Sequence, residues 1–456
     1  MSKPSSAAAG WICLLLCALT VILLAPGRMG ADELDMLQQA TQGAYHDWHS
    51  PLIAWLWRVG LRFRDGSLGI DIAGIGLYFA GIYLLADMAI LRGHPVVGWA
   101  TLVVSVFPLT WIALATAGNK DVFLTGLMLV ATGLLTRYGG GPLRRTAIAF
   151  AVLLALGLAF TVRHNAMFAA FPVLIALGTL VLMRFPPFIR AALAGSIGVA
   201  ATVGLYFAAD LTERATLGVR TSNVIASLYI FDLAGISKNA GVDAAGGLLG
   251  ADFQAKLGAC YDPALFDHYA TWGECGDLWV DLFGPGYEGL MEKPADREVK
   301  RRLLFQWLSA IRDHPDAYLA HRLAHFRLAS GMTGNPAWQM SPVDLEEFSR
   351  DGVETLSPVL RGLDAAATWL ARAPYLAPYV WLAVGAVGLL ALMFVGPSLA
   401  GLIAAMFFAS GLVYGAAYFG IGVSYALRYF HWTIVAELLG LLWLAAAIVH
   451  PRPGDR

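Results

Sequence analysis

Residues 68–91 read LGIDIAGIGLYFAGIYLLADMAIL, an uninterrupted apolar stretch that contains only two charged side chains. As a helix it would be ~36 Å long at ~1.5 Å per residue, enough to cross a hydrocarbon core of ~30 Å. The whole chain has 456 residues, of which 58% are hydrophobic and 14% charged, whereas a soluble protein has about 25% charged residues. This composition predicts a multi-span membrane protein and excludes a soluble enzyme.

Other apolar stretches of similar length occur on both sides of this one. We place the predicted spans near residues 10–26, 68–91, 95–117, 122–137, 145–162, 166–183, 188–208, 376–395, 398–418 and 431–449. The prediction is therefore an all-α polytopic membrane protein with about ten transmembrane helices.

The basic residues between the spans set the orientation. The short connections that share a side with both termini carry Arg92, Arg137, Arg144, Arg145, Arg184, Arg190, Arg452 and Arg456. Cytoplasmic loops are enriched in Lys and Arg. We therefore expect both termini in the cytoplasm. The short loops suit a multi-pass protein of a bacterial inner membrane.

The composition changes between residues 209 and 375. This stretch holds most of the Asp and Glu residues and no apolar run long enough to span a bilayer. It predicts a mainly helical extracytoplasmic domain between an N-terminal membrane domain, residues 1–208, and C-terminal membrane helices, residues 376–456. Cys260 and Cys275 both fall in this domain, so a disulfide between them is expected there, with two free thiols as the alternative.

Charge and histidine spacing limit the partners. The net charge of −1 argues against a nucleic-acid partner, which usually leaves a basic surface. His321 and His325 have the i, i+4 spacing of a metal-binding pair. Because Arg322 and Arg327 lie beside them, we favour a helix face at the membrane surface.

Polar residues concentrate in the outer connections. Those of the first outer loop, residues 27–66, and of the later short loops are Asp32, Glu33, Asp35, Asp47, His49, Lys120, Asp121, Arg163, His164, Asn165, Arg428 and Tyr429. All lie on one side of the membrane under the predicted topology. Short loops stay near their helix ends, so these groups are expected to ring one opening at the membrane surface.

Carboxylates and cations at that depth fit glycosyl transfer from a lipid-phosphate sugar. A carboxylate takes the proton of the acceptor hydroxyl, and Asp32 is the candidate base. Cations stabilise the departing phosphate, for which Lys120, Arg163 and Arg428 are the candidates. A metal-dependent form of this reaction is also open, because Asp32, Asp35 and Asp121 could hold a divalent ion through oxygen ligands.

The same residues have structural alternatives. Asp32 and Glu33 could cap a helix, since acids stabilise a helix N-terminus. Lys120 and Asp121 could pair with each other. Arg163 and Arg428 could be interfacial anchors that reach lipid headgroups.

At these motifs the sequence resembles a family. Asp32-Glu33 followed by Asp47-Trp48-His49-Ser50-Pro51-Leu52 is similar to the first loop of the protein O-mannosyltransferases and their bacterial GT-C relatives. Ser50 stands where the family usually has a proline. The Lys120-Asp121 step, Arg163 with Asn165, and Arg428-Tyr429 are similar to bacterial members.

The resemblance implies a GT-C fold and an inverting transfer from a polyprenyl-phosphate monosaccharide. By its place in the motif Asp32 would be the catalytic base, with Glu33 beside it. The substrate-binding groups would be Asp47, His49, Lys120, Asp121, Arg163, His164, Asn165, Arg428 and Tyr429. The acceptor would be an extracytoplasmic glycan, lipid or protein.

Two other functions remain open at this stage. A lipid or glycan transporter would keep its ionisable groups near the bilayer midplane, where the sequence has Asp87 and Glu437. A glycan polymerase or ligase would release a polyprenyl diphosphate instead of a monophosphate. The concentration of polar residues at the outer helix ends favours the transferase.

Overall fold

The computed structural model describes residues 6–25, 27, 29–116, 118–250, 252–334, 362 and 373–449. Over these residues the chain is helical and forms isolated β-bridges but no extended strand. The helices are α1 (Ser6–Leu24), α2 (Ala31–Gln42), α3 (Pro51–Leu61), α4 (Leu68–Leu91), α5 (Pro95–Val104), α6 (Pro108–Leu114), α7 (Lys120–Leu135), α8 (Pro142–Val162), α9 (Ala166–Val181), α10 (Pro187–Leu217), α11 (Val224–Ala240), α12 (Phe253–Cys260), α13 (Asp277–Phe283), α14 (Gly286–Leu290), α15 (Asp296–Asp313), α16 (Pro315–Ala329), α17 (Pro378–Leu392), α18 (Leu399–Ile421) and α19 (His431–Val449). Short 3-10 turns cover Phe266–Tyr269, Pro374–Leu376 and Leu427–Phe430.

Several helices have the length and composition of membrane spans. Within the described ranges there are six of them: α1, α4, α8, α10, α18 and the segment Leu427–Val449, which contains α19. Shorter apolar helices, α3, α5, α9 and α17, accompany them. The prediction of an all-α polytopic membrane protein is confirmed.

One predicted span is wrong. The stretch 95–117 forms two helices, α5 and α6, instead of one. Phe107 has an extended backbone (φ −60°, ψ 136°) directly before Pro108. Proline disfavours the helical conformation of the residue before it and has no N–H to donate, so it begins a new helix here.

Two other stretches hold more helix than expected. The first outer loop, residues 27–66, contains α2 and α3, and α3 begins where the Ser50 hydroxyl accepts a hydrogen bond from the Ile53 N–H at 3.3 Å. The helix expected over 188–208 continues to Leu217, where Gly218 ends it in the left-handed conformation (φ 63°). Helix α10 therefore runs from the membrane helices into the stretch that follows residue 208, which we call the polar domain.

The core has two parts. One packs the membrane helices against each other, with α4 against α7, α9 against α10 and α18 against α19. The other lies within the polar domain, where α11 packs against α15 and α16. At one end of these helices, Arg163 after α8 contacts Asp121 at the start of α7 and Tyr418 near the end of α18, and Asn165 before α9 contacts the same tyrosine.

The histidines of α16 belong to the domain interior. His321 and His325 are fully buried, so the interpretation as a membrane-surface face is wrong. The Asp232 carboxylate lies 2.6 Å from Arg322 Nη2 and 3.2 Å from His321 Nε2. A charged group is buried at acceptable cost when it is paired, and this pairing draws α16 onto α11.

A disulfide joins Cys260 and Cys275 and closes a 15-residue loop. We expect Cys260→Ser to lower the free energy of unfolding by about 3 kcal/mol. The disulfide restricts the unfolded chain, and its loss returns the conformational entropy of a loop of this length to the unfolded state. Thermal unfolding of the purified protein measures the change. Cys17→Ser, at a free cysteine in α1, is the control, and four titratable thiols in the unreduced wild type would contradict the prediction.

Candidate functional site

A cavity of about 980 Å³ lies where the membrane helices meet the polar domain. Its walls come from α2, the starts of α7 and α9, the end of α8, the segment before α19 and the domain. Residues from the sequence analysis that line it are Asp32, Glu33, Asp35, Asp47, His49, Lys120, Arg163, His164, Asn165, Arg428 and Tyr429. Asp121 lies behind the wall and is only 2% exposed.

Asp32 is held between two cations. Its Oδ2 lies 2.6 Å from Arg428 Nη2 and 2.9 Å from Lys120 Nζ. Burial pushes the pKa of Asp32 upward, but Arg428 and Lys120 outweigh burial and hold that pKa well below its usual range. Asp32 is therefore ionised, and both cations point into the cavity.

His49 completes this cluster as a neutral group. Its Nδ1 lies 3.1 Å from Lys120 Nζ, and its Nε2 lies 3.8 Å from Asp32 Oδ1. Burial and the neighbouring Lys120 lower the pKa of His49 to about 4. At neutral pH the imidazole accepts a hydrogen bond from Lys120 and adds no charge.

Glu33 occupies the cap of α2. Its Oε2 accepts a hydrogen bond from the Gly30 N–H at 2.9 Å, and its Oε1 lies 3.7 Å from Arg428 Nη1. Burial raises the pKa of Glu33 to about 7 against the opposing charge of Arg428. This contact fixes the first turn of α2, on which Asp32 lies.

The start of α7 separates Lys120 from Asp121. The Asn119 side chain caps this helix by accepting hydrogen bonds from the N–H groups of Asp121 and Val122. Lys120 then faces Asp32, whereas Asp121 forms an ion pair with Arg163. The two adjacent residues do not pair with each other.

Tyr429 lies between two arginines. The guanidinium groups of Arg163 and Arg428 lie 5.0 and 5.3 Å from the centre of its ring. Tyr418 stacks on Tyr429 with ring centres 5.5 Å apart. The Tyr418 hydroxyl accepts a hydrogen bond from Asn165 Nδ2 at 2.8 Å. The aromatic rings fix both cations in one wall of the cavity.

Asp47 and His164 contact groups other than the Asp32 cluster. Asp47 Oδ1 accepts a hydrogen bond from the Ser222 N–H at 2.6 Å, which ties the first outer loop to the polar domain. His164 packs edge-on against Tyr206 of α10, with ring centres 6.1 Å apart. These two residues position the walls of the cavity.

The three candidate metal ligands each have a protein partner. Asp32 faces Lys120 and Arg428, Asp121 faces Arg163, and Asp35 accepts a hydrogen bond from Gln39 at 2.8 Å. In the part of the chain that the structure describes, no three His, Cys, Asp or Glu residues form a metal-binding group. A divalent ion would have to displace these donors and cations.

The polar domain and α10 add cavity residues that the sequence analysis did not identify. They are Asp210, Arg214, Asp267, Trp272 and Lys300. None lies in a recognisable motif, and they reach the cavity through the long-range packing of the domain on the membrane helices. The sequence carries no local signal for them.

The fold and this cavity define an all-α membrane protein with a charged cavity at one end of its helices. No family model matches the sequence, and no curated protein matches it. Among solved structures, the chain is similar to ArnT from Cupriavidus metallidurans bound to undecaprenyl phosphate, with 14% identity and a TM-score of 0.37 over 96% of this chain and 78% of that chain. The apo state of ArnT gives 15% identity and a TM-score of 0.34 over the same shares. A similarity at this level does not assign a function to the chain.

Proposed function

We propose that this protein is a GT-C membrane glycosyltransferase that transfers a sugar from a polyprenyl-phosphate monosaccharide to an extracytoplasmic acceptor with inversion. The observation that carries the proposal is the Asp32 carboxylate between Lys120 and Arg428 at the wall of a large cavity. An inverting transfer needs this combination of one carboxylate and cations for the departing phosphate.

The phosphate of the donor competes with Asp32 for its two cations. Arg428 offers a planar fork of donors that suits phosphate, and Lys120 adds a compact positive charge. As the bond between the anomeric carbon and the phosphate oxygen breaks, its electron pair stays on the phosphate. Lys120 and Arg428 stabilise the charge that develops there.

Binding of the phosphate also prepares the base. Once Lys120 and Arg428 contact the donor, the pKa of Asp32 rises because its opposing charges are shared. The acceptor oxygen then bonds to the anomeric carbon from the opposite face while its proton passes to Asp32. A base works best when its pKa approaches the operating pH, so donor binding activates Asp32.

The apolar part of the cavity wall suits a polyprenyl chain. Met167 and Phe168 of α9 and the partly exposed Val224 and Ile225 of α11 line the same space as the charged cluster. A lipid chain covers such surface, and a water-soluble nucleotide donor would leave it bare. This supports a lipid-linked donor.

We also propose that the cavity faces the periplasm of a bacterial inner membrane. Thr41 and Gly140 are both exposed, and the proposed topology puts them on opposite sides of the membrane. In a protein with Cys13 and Cys17 replaced by alanine, a membrane-impermeant maleimide should label Thr41→Cys in intact spheroplasts and Gly140→Cys only after lysis. Labelling of both residues in intact spheroplasts would contradict this topology. The tail arginines Arg452 and Arg456 lie outside the described residues.

The two alternatives differ from this proposal in testable ways. Asp87, one of the intramembrane acids, forms an ion pair with Arg137, which suits a structural role better than a transport path. A transporter would bind the donor without cleaving it. A polymerase or ligase would release polyprenyl diphosphate.

The test uses purified protein and a panel of polyprenyl-phosphate monosaccharides, with and without a chelator. Release of polyprenyl phosphate by the wild type, and its loss in Asp32→Asn, would support the transferase and identify the sugar. The chelator arm decides whether a divalent ion participates. Donor binding without release, even in the presence of candidate acceptors, would contradict the proposal.

A further inference from the structure

The loop between Cys260 and Cys275 supplies one wall of the cavity. It presents Asp267 and Trp272 to the same space that Asp32 lines. The disulfide joins the two ends of this loop. Asp267 and Trp272 are therefore brought to the cavity by a cross-linked segment of the polar domain.

Backbone hydrogen bonds fix the loop further. The Phe266 N–H donates to the Val423 carbonyl at 2.7 Å, and the Cys275 N–H donates to the His268 carbonyl at 2.9 Å. Val423 belongs to the segment that leads from α18 to Arg428. The position of Asp267 is thus tied to the segment that carries one of the two phosphate-binding cations.

Asp267 has an unused carboxylate. The carboxylate makes no hydrogen bond or ion pair with any residue that the structure describes, although Asp267 lines the cavity and is partly shielded from water. Burial, together with the charge of Asp32, raises the pKa of Asp267 to about 6 despite the opposing effects of His268 and Arg428. At neutral pH it is mainly an ionised acceptor that a ligand hydroxyl could satisfy.

Trp272 offers a fixed aromatic surface in the same cavity. The indole is 56% exposed, and it packs edge-on against Trp48 with ring centres 6.0 Å apart. Trp48 makes a second edge contact at 6.0 Å with the buried Trp279. The exposed indole is therefore held in place, and it is suited to cover an apolar ligand face.

We infer that Asp267 and Trp272 form an acceptor subsite for a pyranose, so that the acceptor is a glycan or glycolipid. The inference rests on the proposed function. The C–H face of a pyranose ring covers the indole, and one of its hydroxyls donates a hydrogen bond to the carboxylate. A serine side chain or a simple lipid alcohol has the hydroxyl but no ring face. Asp32 remains the proton acceptor, and Asp267 orients the sugar.

Direct binding tests the subsite independently of turnover. The full-length protein is titrated calorimetrically with methyl pyranosides of the gluco, galacto and manno series. We expect at least one to bind, and Asp267→Asn and Trp272→Ala to weaken it at least about tenfold, because a hydrogen bond to a charged group or the ring contact is lost. Trp272→Phe keeps an aromatic face and should retain most of the affinity.

The matched control is Asp262→Asn. Asp262 lies in the same disulfide-closed loop, is 47% exposed and pairs with His268 at 3.9 Å, outside the set of residues that line the cavity. Its substitution should leave pyranoside affinity unchanged. Absence of pyranoside binding, or equal affinity in wild type, Asp267→Asn and Trp272→Ala, would overturn the inference.

Kinetics assign the bound sugar to the acceptor or the donor. An acceptor pyranoside should accelerate polyprenyl phosphate release with saturation, and Asp267→Asn should raise its KM more than the KM of the donor. Competition with the donor instead would place the donor sugar at this subsite and overturn the inference. If Asp267→Asn does not affect the release of polyprenyl phosphate, the acceptor subsite is refuted and the proposed transferase is not. Pyranoside binding without donor cleavage refutes the transferase but retains the pyranose site.

Discussion

Asp32→Asn should reduce the release of polyprenyl phosphate by about a hundredfold or more, the usual contribution of a positioned general base. The asparagine keeps the shape of the side chain but cannot take a proton. It also no longer competes for Lys120 and Arg428, which lie 2.9 and 2.6 Å from Asp32 in the wild type. Affinity for polyprenyl phosphate should therefore be retained or increased.

Turnover and binding of polyprenyl phosphate are measured on the same preparation. Asp65→Asn is the control, because Asp65 is an exposed acid in the same outer segment, residues 27–66. Near-normal turnover in Asp32→Asn would refute its role as the base. Loss of both turnover and phosphate binding, with an unchanged unfolding temperature, would instead mean that Asp32 is needed to orient the cations.

Arg428→Gln should lower kcat/KM for the donor by about a hundredfold to a thousandfold, the range seen when one stabilising donor is removed from a developing anion. Arg428 is nearly buried and contacts Asp32, Glu33 and the ring of Tyr429. Its loss removes the planar group proposed to bind the phosphate and leaves the two acids opposed by Lys120 alone.

Arg428→Lys should restore only part of the activity, because an ammonium group cannot reproduce the fork or the stacking on Tyr429. Arg301→Gln is the control, since Arg301 is an exposed arginine paired with Glu298. Thermal unfolding separates misfolding from loss of function. Unchanged kcat and KM in a folded Arg428→Gln protein would move the phosphate site away from Asp32.

The sequence predicted where most membrane helices lie because the physics that selects them is local, although within the described residues six of the about ten expected spans are long enough to cross a membrane. A run of apolar residues either is or is not long enough to span hydrocarbon. The prediction of a single span over 95–117 failed for an equally local reason. The hydropathy of this stretch is continuous, but Pro108 interrupts the helix. The apolar pattern does not predict the extension of α10 to Leu217, because the last turns of the helix are polar and lie beyond the apolar stretch.

The ion pairs of the cavity were harder to predict. Adjacent residues on a helix point about 100° apart, so Lys120 faces Asp32 while Asp121 faces Arg163. Sequence spacing within one helix cannot identify such partners, because they come from other helices. Asp267 and Trp272 were harder still to predict as cavity residues, since their position depends on the packing of a whole domain.

The continuity of α10 has a consequence for how substrates reach the cavity. The helix passes from the membrane helices into the polar domain without a break. Just beyond its end, the hydrogen bond from the Ser222 N–H to Asp47 joins the polar domain to the first outer loop. The polar domain is thus held to the membrane helices by α10 and by this hydrogen bond. Movement of the domain away from the membrane helices would require the hydrogen bond to break. The proposed lipid-linked donor would then enter the cavity from the side, along the apolar surface of Val224 and Ile225, without movement of the domain.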